Sequence, residues 1–281
     1  MEQDLTKPVL TAEERECEEQ FKETSQRTEQ GRFIVQLPFK EDKLHTLGNS
    51  YDIALRRFYS LERKLNRHPE MKKSYTDFIQ EYLNLRHMHP ITMEPQNAVP
   101  VYYMPHHAVF KENSSTMKLR IVFDASCKTD IGVSLNDILK VGLTLQPDLI
   151  SNLIKFRTWR YVLTGDVAKM YRQVLVEESQ RRLQRILWRN SNQEEVQTFE
   201  LATVTYSTAS ASFLAVRALQ EIAILERETM PTGAERILSD FYVDDLLTGA
   251  DTIQDLITIR NEVSAILSKA GFFLRKWASN D

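Results

Sequence analysis

The stretch Ile237-Leu238-Ser239-Asp240-Phe241-Tyr242-Val243-Asp244-Asp245-Leu246-Leu247-Thr248-Gly249 sets two short apolar runs on either side of adjacent aspartates. Runs of β-branched and aromatic residues interrupted by a polar pair predict a hairpin with carboxylates at its turn. Val243 and Leu246 are expected to anchor in a core, while Asp244 and Asp245 face solvent or a ligand. An ordinary hairpin turn favours Asn-Gly or Asp-Gly, residues that accept positive φ. Asp-Asp instead sets like charges side by side, which is unfavourable unless a cation offsets them. A divalent metal bound through oxygen is the natural cation. For an isolated pair, a solvated acidic turn is the plainer alternative.

A second stretch shifts that balance. In Tyr161-Val162-Leu163-Thr164-Gly165-Asp166-Val167-Ala168-Lys169-Met170-Tyr171, an apolar strand-like run ends in Asp166 and an aromatic follows five residues later. Three further motifs stand in order: Leu119-Arg120-Ile121-Val122-Phe123-Asp124-Ala125-Ser126, Ser134-Leu135-Asn136-Asp137, and Leu274-Arg275-Lys276-Trp277-Ala278-Ser279-Asn280. Together with Tyr242-Val243-Asp244-Asp245 they resemble the reverse transcriptase region of the Pol polyprotein of Pao-type (BEL/Pao) long-terminal-repeat retrotransposons. The likeness runs from about Gly31 to the last residue.

The resemblance implies a right-hand polymerase's fingers and palm, with nucleotidyl transfer from deoxynucleoside triphosphates to a primer on an RNA or DNA template. Asp166, Asp244 and Asp245 become the catalytic ligands of two Mg2+ ions, with Mn2+ as a substitute. The backbone of Val167 and Ala168 would help cradle the triphosphate. Tyr171 would lie under the sugar and reject a 2′-hydroxyl, with plain core packing as its other reading. Tyr206 and Ser207, in the loop before a helix, and Lys276 join the substrate-binding set on the same grounds. Ala108 to Asp124 independently reads as a hairpin projecting Lys111, Lys118 and Arg120. A cation-protected edge strand explains that pattern equally well. By resemblance it is the fingers hairpin, and a guanidinium such as that of Arg120 offers phosphate a two-pronged grip.

Composition is that of an ordinary globular protein: 281 residues, 42% hydrophobic and 27% charged. No run of about 18 apolar residues and no charged-then-apolar leader occurs, so the expected setting is intracellular, cytoplasmic or nuclear, with no membrane partner. Cys17 and Cys127 form no Cys-x-x-Cys pair, which suits a reducing compartment. The net charge of −3 speaks against a nucleic-acid binder, but it is uneven. Residues 1–30 hold nine acids against four bases, a net of −5, which leaves +2 on the rest. His87, His89, His106 and His107 have no cysteine nearby and match no usual zinc spacing, so they read as polar structural residues.

Along the chain, 1–30 is expected to be an acidic, loosely ordered arm, 31–98 a helical region packed on the fingers, and 99–281 the polymerase fingers and palm. Phe33, Val35 and Leu37 suggest a strand. The apolar spacing after Tyr51 and around Tyr75 predicts two helices, delimited by Pro69 and Pro90. Val101–Met104, Ala108–Phe110, Leu183–Trp188 and Val196–Leu201 read as strands, and 148–157 as a helix. Thr252 to Asp255 resembles a capping box. It opens a helix whose buried stripe is Ile253, Leu256, Ile257, Val263, Ile266 and Leu267, stopped by Gly271. Strands and helices alternate irregularly, so the class is α+β, with helices on one face of an antiparallel sheet.

Two departures qualify the resemblance. Ser207 stands where relatives have a glycine that lets backbone approach nucleotide, and Ser212 where they have the proline that opens a helix. The sequence ends at Asp281 and lacks Asp-Thr-Gly and Asp-Ser-Gly, so thumb, RNase H, integrase and aspartic protease are expected to be absent from this chain. Two rivals follow. One is a remnant without catalysis that binds nucleic acid or protein; the other, a metal-dependent hydrolase, lacks any general-base or nucleophile motif.

Overall fold

The structure is a computed structural model that describes residues 10–91, 100–110 and 119–281. The chain opens with helix α1 (Ala12–Thr24) and strands β1 (Gln26–Arg27) and β2 (Phe33–Val35). Next come α2 (Tyr51–Arg67), α3 (Pro69–Asn84), β3 (Met88–Pro90), β4 (His106–Phe110), β5 (Leu119–Phe123) and the short α4 (Leu135–Ile138). After α5 (Leu149–Thr158) and β6 (Tyr161–Val167) follow β7 (Leu175–Val176), β8 (Arg185–Trp188) and β9 (Gln197–Leu201). The last third holds α6 (Ala211–Leu225), α7 (Pro231–Ser239), β10 (Phe241–Tyr242), β11 (Asp245–Ala250), α8 (Ile253–Ser268) and β12 (Leu274–Ser279). Among the described residues, no helix is long and apolar enough to cross a membrane.

The contacts divide the chain into two units, each assembled from separated segments: 1–38, 140–168 and 213–281 in the first, 39–139 and 169–212 in the second. In the first unit an antiparallel sheet has the order β10-β11-β6-β12. Its β6 buries Leu163, Gly165 and Val167 and leaves Thr164 and Asp166 on the other face, the period-2 alternation of a sheet covered on one side. Leu246 of β11, fully buried, pairs with Gly165 on the covered face. Leu256, Ile259, Val263, Ile266 and Leu267 of α8 are buried, and α7 lies close against α8. A side chain on Gly233 would meet Glu262 Cβ at 2.5 Å, so that approach needs glycine.

The second unit contains the β4–β5 hairpin and the β3-β9-β8 sheet. Helices α2 and α3 each bury one stripe, Ala54, Phe58, Leu61 and Leu65 on the first and Met71, Tyr75, Ile79 and Tyr82 on the second. The Tyr75 ring stacks on Trp188 at 5.2 Å, and His106 lies within 5.7 Å of Tyr75, so aromatic rings dominate this core.

Several expectations are corrected. Residues 12–24 are not loosely held. A reciprocal cap joins Thr11 and Glu14, Glu16 reaches Lys140 at 2.5 Å, and Glu18 reaches buried Arg217 at 3.1 Å. Phe21 packs on Phe33 and Phe213 beneath the Arg217 guanidinium. The acidic composition suggested solvation, but distant bases supply the partners. Ile237, Leu238 and Ser239 end helix α7 instead of forming a strand, because Gly233, Ala234 and Ile237 share the buried helical stripe. Val101–Met104 is no ladder strand, since only Tyr103 bridges, to Arg185. Ile253 and Ile257 of α8 are exposed. Val243 is not a core anchor either; it occupies the turn at φ 56° and is half-buried.

Candidate active site

The site begins with register. Across the antiparallel β11–β6 ladder, Asp245 pairs directly with Asp166, and on the opposite edge of β6 Arg275 of β12 pairs with the same Asp166. Residues in register leave the sheet on the same face, so Asp245, Asp166 and Arg275 form a row across three strands on the face away from the core. Asp244 sits in the adjoining turn, where its carbonyl accepts from Val167 N–H at 2.8 Å. Val243 makes this tight turn by adopting left-handed backbone, a conformation strained for a β-branched residue.

Asp166 is held by cations. Arg275 Nε donates to its Oδ2 at 3.0 Å, and Lys276 Nζ stands 3.2 Å from the same oxygen. Consecutive strand residues point to opposite faces, so two neighbours reaching one carboxylate need an irregularity. Here the β12–β6 register shifts between Arg275 and Ala278, and Lys276 adopts φ 54°. Burial raises the pKa of Asp244. A hydrogen bond from its own backbone N–H and the charge of Lys276 lower it, and the Asp245 and Asp166 charges raise it further.

The donor chemistry fits a hard divalent cation: three carboxylates at one end of the two central strands, with like charge already felt at Asp244. As placed, however, no group of three His, Cys, Asp or Glu side chains among the described residues stands close enough to hold an ion. One Asp166 oxygen, Oδ2, is occupied by Arg275 and Lys276. The Val167 and Ala168 amides expected to cradle a triphosphate are also engaged, to the carbonyls of Asp244 and Phe273 at 2.8 Å each.

The remaining expected residues belong to the second unit. Exposed Arg120 on β5 lies over the Tyr206 ring, 5.6 Å from its centroid. Burial pushes the Tyr206 hydroxyl up to about 12. Ser207 Oγ is buried with no hydrogen-bond partner among the described residues. Its carbonyl accepts from Asn136 Nδ2 at 3.0 Å, while Asn136 Oδ1 accepts from Ala209 N–H at 2.8 Å. Tyr171 is half-buried, its hydroxyl 3.3 Å from Ser212 Oγ. Lys111 and Lys118 lie outside the described residues.

Three supporting residues escaped the sequence reading. Asp240, with its side chain fully buried, gathers Lys155 Nζ at 2.5 Å, Thr248 Oγ1 at 2.6 Å and Ser239 Oγ at 2.8 Å just before the aspartate turn. Asn136 clamps the Ser207 loop with both ends of its amide. Arg275 neutralises Asp166. Asp240 stood in the decisive stretch, and its signal was an acid inside an apolar run.

No protein-family model matches the chain. No curated protein matches it either. Among solved structures, the chain resembles the foamy viral protease-reverse transcriptase dRH, solved in complex with double-stranded DNA, with a TM-score of 0.54 and 17% identity. The match covers 74% of this chain and 31% of that one, so the chain spans about a third of the solved protein's length. The fold is therefore a mixed α+β arrangement resembling a retroviral reverse transcriptase region.

Proposed function

We propose that this chain is the fingers-and-palm portion of an RNA-directed DNA polymerase of the Pao type, adding deoxynucleotides to a primer 3′-hydroxyl. The observation that supports it best is the register setting Asp245 directly across from Asp166, with Asp244 in the adjoining turn. Phosphoryl transfer asks a protein for positioning and charge stabilisation more than for covalent help. Asp166, Asp244 and Asp245 would hold two Mg2+ or Mn2+ ions, which when bound activate the hydroxyl and neutralise the leaving pyrophosphate. Arg275 and Lys276 keep Asp166 charge-compensated until then. Arg120 is assigned to the triphosphate, for which its planar fork suits two phosphate oxygens.

The test is primer extension on an RNA template with magnesium or manganese. Wild type is expected to add nucleotides, and Asp244→Asn to add none. Equal extension by the two proteins, or none by the wild type, would overturn the reading. The cations on Asp166 favour a second one, a non-catalytic module that binds nucleic acid or protein; strand binding without extension is its signature.

A further inference from the structure

The polar face of α2 is unusually basic. Arg56, Arg57, Arg63, Lys64 and Arg67 are all exposed, while the buried stripe faces the core of the second unit. Arg57, Lys64 and Arg67 recur at spacings of seven and three, so they share one side of the helix. With Arg63, His107 and Ala108 they line a hollow of about 460 Å³ between α2 and β4, and among the described residues its lining contains no acid. The nearby acids are committed elsewhere or stand at the rim. Glu62 is held by Arg189 in a two-pronged pair at 2.7 and 2.8 Å, Asp124 accepts Arg57 at 3.4 Å, and Glu70 lines the adjoining hollow beyond Arg67. No acid pairs with Arg63, Lys64 or Arg67 among the described residues. In a chain of net charge −3, three unneutralised cations along one helix face, repelling one another, are maintained against an electrostatic penalty.

We infer that this α2 face is a binding track for the phosphate backbone of a single-stranded nucleic acid. Ten residues from Arg57 to Arg67 span about 15 Å at 1.5 Å per residue, room for about four phosphates of a strand rising about 3.4 Å per nucleotide. The track offers long, flexible cations to phosphate, a grip that carries no sequence choice, and the hollow beside Lys64 and Arg67 adds the apolar Pro69, Met71 and Leu119. The inference rests on the polymerase reading only for the identity of the polymer. The track ends at Arg67, 99 residues before Asp166, the first of the three aspartates, and needs no metal.

The experiment is fluorescence anisotropy of a fluorescein-labelled 20-nucleotide oligo(dT), titrated with the full chain in EDTA at several salt concentrations. Arg63→Gln/Lys64→Gln/Arg67→Gln is expected to weaken binding at least tenfold at low salt. It should lower the slope of log affinity against log salt by about 2, three contacts at roughly 0.7 each. Arg63→Lys/Arg67→Lys, which keeps the charge, should bind as wild type, and Lys64→Gln alone should show about a third of the slope change. An unchanged slope in a triple variant that melts like wild type overturns the inference. So does displacement of the oligonucleotide by poly-glutamate as readily as by unlabelled oligo(dT), which would make this a site for acidic polypeptide. Because EDTA removes metal, the outcome is independent of primer extension: lost extension with an intact salt slope condemns the polymerase reading alone.

Discussion

Arg275 and Asp166 are in register across the β12–β6 ladder, and Arg275 Nε donates to Asp166 Oδ2 at 3.0 Å. A cation taking Asp166 Oδ2 must therefore displace a guanidinium, and Lys276 beside it. Both bases are at least half exposed, and such pairs contribute about 0–1 kcal/mol each, so displacement is affordable. Arg275→Ala/Lys276→Ala should bind Mn2+ several-fold more tightly in calorimetry, while Asp166→Asn should lose binding. Equal or weaker binding by the double variant would show that these bases do not compete with metal.

The Asp240 side chain has no exposed surface and is gathered by Lys155 at 2.5 Å, Arg236 at 3.6 Å and two hydroxyls. Removing Asp240 leaves the buried Thr248 hydroxyl without its acceptor, while the part-exposed Lys155 regains water, so Asp240→Ala should destabilise the fold by about 1–3 kcal/mol in urea titration. Asp245→Ala, at an exposed position, should leave the midpoint nearly unmoved. Similar losses for the two would mean that Asp240 does not organise the turn.

His106 ties stability to pH. It is buried between the Tyr75 hydroxyl at Nδ1 and the Leu187 carbonyl, 2.9 Å from Nε2. A carbonyl can only accept, so Nε2 carries the proton and Nδ1 accepts from Tyr75. Burial depresses its pKa to about 4; the Leu187 hydrogen bond raises it and the charge of His107 lowers it. Unfolded histidine takes up a proton near pH 6.5 while the folded ring stays neutral to about 4. The stability it contributes is thus complete above about pH 6.5 and is lost as the pH falls toward 4, on the order of 3 kcal/mol. His106→Gln should flatten that part of the urea-midpoint profile.

Ser207 carries a buried hydroxyl with no partner among the described residues, in a loop clamped by Asn136. Ser207→Gly relieves an unsatisfied group worth about 1 kcal/mol and adds backbone freedom of similar size, so stability should hold. If relatives need glycine there for nucleotide approach, the KM for nucleotide should fall. Identical steady-state kinetics for the two proteins would give the loop another role.

Tyr171 separates sugar choice from packing. Half-buried, with its hydroxyl only 3.3 Å from Ser212 Oγ, it is not a core aromatic. Tyr171→Ala should therefore lose about 1 kcal/mol, well short of the roughly 3–5 kcal/mol of a core truncation. It should also admit ribonucleotides in the extension assay. Unaltered sugar selectivity would end the assignment.

The sequence alone was sufficient for the α+β class, the two strands that bear Asp166 and Asp245, and most helices, because these follow from local periodicity. The apolar alternation of β6 is written in its own residues, and a capped helix such as α8 announces its start in four residues. Asp244 and Asp245 stood out because two like charges at an apolar turn are locally costly, and Asp166 because a strand-like apolar run ends on it; their joint role rested on the resemblance. Only the tertiary structure decided what surrounds them. That Arg275 and Lys276 meet on one oxygen depends on a register shift in β12, more than a hundred residues from Asp166. The acidic first helix became ordered for the same reason: Lys140 and Arg217 answer Glu16 and Glu18 over 124 and 199 residues. Val243 went to the turn and Ile237 to a helix because long-range packing outweighs propensities of less than about 1 kcal/mol per residue. Periodicity reports one element's own faces, whereas a charge's partner is chosen by folding, which brings distant segments together at hydrogen-bonding distance.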